Sequence, residues 1–138
     1  MVKLNKESVV GISALLIHAA SIDEIYTNHE KDLIKNFIQS YLKNENVDEI
    51  LSEAENLEKN SNQLLNYTNI IKENSMEIKK DIIEHLWKVI ISDNTVDQYE
   101  SNLMRRICGL IYFSDKECAE IKLNLINNKW LILLKTNV

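Results

Sequence analysis

A chain of 138 residues with a formal net charge of -5 and a pI near 5.2 has no cationic footprint for a phosphate backbone, so nucleic acid is not an expected partner. With no proline and only two glycines, Gly11 and Gly109, it lacks the punctuation of a strand-and-turn protein, and a single all-α domain is the expected class. No stretch reaches the roughly 20 apolar residues of a membrane span, so membrane insertion is not expected either.

The first helix is expected from Asn5 or Ser8 to Ile22. From Val9 to Ala20 it is apolar around most of its circumference, which places it at the centre of the domain. Lys3 and Lys6 before that run give it the look of a signal-peptide core, but an internal repeat described below requires it as part of the fold. After a turn from Asp23 to Tyr26, Thr27 and Glu30 have the spacing of a capping box. They open a second helix with Leu33, Ile34, Phe37, Ile38, Tyr41 and Leu42 on one face. Asn46 starts a third helix with Val47, Ile50, Leu51, Ala54 and Leu57 inward. Its Asp48, Glu49, Glu53, Glu55 and Glu58 are expected on a solvated face. Leu64, Leu65, Tyr67, Ile70 and Ile71 mark a short fourth helix.

Ser75 caps the fifth helix, whose apolar positions from Ile78 to Ile91 broaden into burial on most sides, making it the second central helix. Asp97 caps a sixth that buries Leu103, Met104, Ile107, Leu110 and Ile111. Ser114 caps a seventh with Cys118, Ile121, Leu125 and Ile126 inward. Past Asn127 and Asn128 the pattern changes to five consecutive apolar residues, Trp130 to Leu134. These either fold back onto the bundle or meet a protein partner or a second copy, with Trp130, Leu131 and Leu133 as the contact residues.

An offset of seventy residues, from Asp23 to Asp93, superposes Leu16 to Glu30 on Leu86 to Glu100. Both copies read as an apolar helix, an aspartate, a polar turn and a glutamate seven residues after the aspartate that opens the next helix. The architecture is therefore expected to contain two related helix-turn-helix units. Hard divalent cations take clustered carboxylate and carbonyl oxygens, which acidic turns supply in part, although the spacing is not that of an EF-hand loop. Helix capping accounts for the same residues without a metal: Glu30 and Glu100 stand where a capping-box glutamate stands, and Asp97 is a good N-cap. Asp23 and Asp93 fit capping less well, since an aspartate at a helix C-terminus opposes the macrodipole. Cys108 and Cys118, ten residues apart without CxxC spacing, are expected to be ordinary packing residues. No nucleophile elbow, phosphate loop or zinc-protease helix is present, and a Glu-x-x-His pair is missing at both His18 and His85.

The repeated turn, with Leu86-Trp87-Lys88-Val89 before its second copy and Leu103-Met104-Arg105-Arg106-Ile107 after it, resembles the TerB-like family associated with tellurite resistance. The resemblance runs from about Val9 to Asn128, within a single domain over 1–138 whose residues 129–138 form a hydrophobic tail outside the family pattern. It implies an all-helical fold of about seven helices and a non-enzymatic, cytoplasmic role in stress response. Such proteins engage protein partners in assemblies peripheral to a membrane. It also implies a divalent cation, calcium, magnesium or zinc, at Asp23, Glu30, Asp93 and Glu100, with Asp97 secondary. Family members usually read Asp-Gly at the turn, where this chain has Glu24 and Asn94. Asparagine tolerates a left-handed backbone and glutamate does so poorly, so the first turn is expected to be reshaped. The alternative is a purely structural interaction module whose carboxylates only cap helices.

Overall fold

The computed structural model describes residues 4–22, 26–60, 64–91 and 98–136, with the backbone alone at 98, 99 and 129–136. Seven helices account for most of them, and no strand occurs among the described residues. They are α1 (Lys6–Ala20), α2 (Asn28–Tyr41), α3 (Val47–Asn60), α4 (Leu64–Lys72), α5 (Met76–Ile91), α6 (Gln98–Leu110) and α7 (Asp115–Thr136). Several starts have a clear local cause. Asn5 Oδ1 accepts from Ser8 N at 2.7 Å, Asn46 Oδ1 accepts from Asp48 N at 3.0 Å, and Ser75 and Ser114 side chains accept from Ile78 N and Glu117 N at 3.3 Å. These oxygens satisfy amides that have no partner inside the helix.

Burial follows the apolar pattern. α1 packs on α2, α3, α4 and α5, while α5 packs on α1, α2, α4 and α7, so the two apolar helices form the centre, as their composition requires. Val9, Ile12, Leu15 and Leu16 of α1 and Ile82, Ile83 and Leu86 of α5 are fully buried. Side chains of this size each contribute on the order of 1.5–3 kcal/mol on removal from water. Gly11 lets α1 and α4 approach closely, since a Cβ at that position would fall 2.5 Å from Ile70 Cδ1. α6 lies against α4 and α7.

Three details depart from the pattern. In α3 the stripe turned toward the bundle passes through Leu51, Ala54, Glu55 and Glu58, at spacings of three and four. Leu57 falls off that stripe and is exposed, whereas Glu55 and Glu58, expected on the solvated face, are half-buried. Ile126, expected inward, is exposed for the same reason, as is Leu65 of α4: on a short or edge helix only a narrow stripe meets the core. Finally, Asn127 and Asn128 do not interrupt the chain, because α7 continues through them to Thr136. Asparagine disfavours a helix interior by well under 1 kcal/mol, too little to end a helix by itself.

Candidate functional site

The first acidic turn is built by the end of α1, the start of α2 and one face of α3. Ser21 closes α1, its N–H donating to the carbonyls of Ile17 at 2.9 Å and His18 at 3.3 Å. Thr27 then caps α2 reciprocally. Glu30 N donates to Thr27 Oγ1 at 3.2 Å, while Glu30 Oε1 accepts from Thr27 N at 2.8 Å and Thr27 Oγ1 at 2.9 Å. Glu30 is only 4% exposed, so this charge is held by donors of its own turn and by the positive end of the α2 dipole.

Around this cap stand the two half-buried glutamates of α3. Lys31 Nζ lies 3.8 Å from Glu55 Oε2 and 5.1 Å from the ring centre of Tyr26, and His18 Nδ1 lies 3.4 Å from Glu58 Oε1. The Tyr26 hydroxyl is buried beside Glu55 without well-formed hydrogen-bond geometry, and burial, followed by the Glu55 charge, pushes it above the ordinary tyrosine range. A cleft of about 370 Å³ opens here, lined among others by Ile17, Ser21, Tyr26, Glu55 and Glu58. Lys31 and His18 each face a carboxylate of the cluster.

Of the residues the sequence singles out, Asp23 lies outside the described residues, as do Asp93 and Asp97 of the second turn. Glu100, the repeat partner of Glu30, is also 4% exposed, so both repeat-related glutamates are buried at the first turn of their helices. Among the described residues no three of His, Cys, Asp and Glu converge as a metal-binding set. Trp130, Leu131 and Leu133 lie in the α7 backbone, and their side chains are outside the described residues. On the same helix Leu123 is 57% exposed and Ile126 is 37% exposed.

A second groove, about 500 Å³, lies between α2 and α5, where the sequence offers no motif. Tyr41 Oη donates to Asp81 Oδ2 at 2.6 Å, and His85 Nδ1 lies 2.8 Å from the Asp81 carbonyl. The His85 ring stands edge-on to Phe37 at 5.1 Å. Asp81 and His85 are four apart on one helix, so sequence could have paired them. Tyr41, forty residues away, enters only through the tertiary fold. Burial, then the hydrogen bond to Asp81, raises the Tyr41 hydroxyl above its ordinary range, which makes it a poor proton donor near neutrality. Asp81 joins Tyr41 and His85 in one hydrogen-bonded set, and Ser40, which also lines the groove, donates its hydroxyl to the Phe37 carbonyl at 2.6 Å.

No helix among the described residues is long and apolar enough to cross a membrane. The family model described as Tellurite resistance protein TerB matches residues 10–123, which span both helix-turn-helix units. No curated protein and no solved structure matches the chain.

Proposed function

Because the chain belongs to the tellurite resistance protein TerB family, we propose that it is a non-enzymatic module of a tellurite-resistance-related stress response. In this reading it binds a divalent cation at its second inter-helix turn and engages a protein partner. The observation that carries this reading is how the carboxylates of the first turn are used. At the first, Glu30 is committed to a reciprocal cap with Thr27, and the neighbouring Glu55 and Glu58 face Lys31 and His18. In this reading the family's acidic chemistry is carried by the second turn, at Asp93 with Asp97 and Glu100 following in sequence, where Asn94 keeps a backbone tolerance that Glu24 lacks.

The exposed Leu123 and Ile126 of α7, with the apolar run Trp130 to Leu134 following them in the sequence, support the partner-engaging half of the proposal. A cytoplasmic location, with peripheral association to a membrane-bound assembly, is part of the same reading. The second reading, carboxylates as caps only, is favoured at the first turn by the Thr27–Glu30 geometry. Calorimetric titration of the chelator-treated chain with calcium, magnesium, zinc and manganese tests the proposal. Saturable binding to at least one cation, lost in Asp93→Asn with helicity unchanged, is the expected result; no binding to any of them sinks the cation half.

A further inference from the structure

The region where α6 turns into α7 brings together two thiols that the function proposed above does not use. α6 ends in a left-handed cap: Tyr112 has φ 59°, Phe113 N donates to the Cys108 carbonyl at 2.8 Å, and Tyr112 N reaches the Gly109 carbonyl at 3.5 Å. This tight reversal sets Cys108, in the last turn of α6, beside Cys118, in the first turn of α7, so that the two thiols interact. Both are unbridged and buried, at 0% exposure for Cys108 and 5% for Cys118, so a small solute meets Cys118 first.

The surroundings treat the two sulfurs differently. Trp87, reaching over from α5, aims its indole N–H at Cys118, 3.3 Å from Sγ and 3.1 Å from the carbonyl. Lys122, one turn further along α7, places its ammonium 5.2 Å from the centre of the same indole ring. Cys118 also sits at the positive end of a 22-residue helix. A donor, a nearby cation and a helix N-terminus are features that stabilise a thiolate. The Cys108 thiol, chiefly, lowers the Cys118 thiol below the usual range against the opposing effects of burial and of the Asp115 carboxylate, and Cys118, together with burial, raises the Cys108 thiol.

We propose that Cys108 and Cys118 form a peroxide-responsive dithiol, with Cys118 the attacking sulfur, Cys108 the resolving one, and an α6-to-α7 disulfide the product. In the first step the Cys118 sulfur bonds to one oxygen of a hydroperoxide and the O–O bond breaks. The departing hydroxide takes the proton released by Cys118, giving water (an alcohol from an organic peroxide) and a sulfenic acid. In the second step Cys108 sulfur attacks Cys118 sulfur, the S–O bond breaks, and the hydroxide leaves as water with the Cys108 proton. The two thiols lose two electrons and the peroxide gains them. Trp87 is a positioning residue whose indole N–H, 3.3 Å from Cys118 Sγ, favours the thiolate.

The test exposes the reduced full-length chain to hydrogen peroxide with dimedone present and follows intact mass and peptide maps. Native protein should lose both thiols to an internal disulfide without a dimedone adduct. Cys108→Ser should collect the adduct on Cys118, and Cys118→Ser should keep Cys108 reduced, reacting at least about tenfold more slowly than the native pair. Native protein that keeps both thiols, or Cys118→Ser oxidised at the native rate, overturns the proposal. On the Cys108→Ser background, Trp87→Phe should shift the pH midpoint of adduct formation upward. An unchanged midpoint removes Trp87 from the mechanism.

Discussion

Thr27 and Glu30 show what a single pair of residues contributes here. Each satisfies an amide that α2 leaves without an intrahelical partner, and Glu30 does so while buried. Thr27→Ala should therefore lower unfolding free energy by about 1 kcal/mol, measurable by denaturant titration, with helix content almost unchanged. Two tyrosines carry a pH signature. In the unfolded chain tyrosine ionises near pH 10, whereas the native hydroxyls of Tyr26 and Tyr41 are held protonated to higher pH by burial and by Glu55 or Asp81. Above about pH 10 the native state thus binds more protons than the unfolded state, so their contribution is complete below that pH and is lost as pH rises. Unfolding experiments between about pH 8 and about pH 11 should show a shallower loss for Tyr26→Phe/Tyr41→Phe than for the native chain. Equal slopes would contradict this account of the two hydroxyls.

The two glycines separate at the scale of the helix. A Cβ added to Gly109, in the last turn of α6, would meet no atom within 4 Å, and the residue has no positive φ, so nothing in the fold requires glycine there. Gly109→Ala should raise stability by roughly 0.5–1 kcal/mol through helix propensity alone. Gly11→Ala must first displace Ile70 Cδ1 and should gain less, a difference that parallel thermal melts would show. The caps and the stripes of α1, α2 and α5 were legible in the sequence because local chemistry decides them: an oxygen three residues before a donor, or apolar residues at spacings of three and four. The outward turn of Leu57 and the inward turn of Glu55 and Glu58 were not. An acidic run reads as solvated unless the partners offsetting it are known, and Lys31 and His18 come from other helices. The Cys108–Cys118 meeting was equally hidden, since it depends on the left-handed residue being Tyr112 rather than a glycine that would have announced the turn.

Across the whole molecule, the seventy-residue repeat was the strongest signal of two related units, while the apolar circumference of α1 and α5 foretold two central helices, both of which the structure places in the core. Repetition does not make the two turns chemically equal. The first is surrounded by α3 and tied by a complete capping box, and the residues that would distinguish the second, Asp93 and Asp97, lie outside the described residues. A ligand that binds only the native state raises thermal stability in step with its saturation, so the turns can be compared directly. The deciding measurement is the thermal unfolding midpoint of native chain, Asp23→Asn and Asp93→Asn, each with and without the cation that titration identifies. We predict that the cation raises the midpoint of native chain and Asp23→Asn alike and leaves Asp93→Asn unmoved. A cation-dependent rise that survives in Asp93→Asn, or one that Asp23→Asn abolishes, would contradict the assignment of cation binding to the second turn.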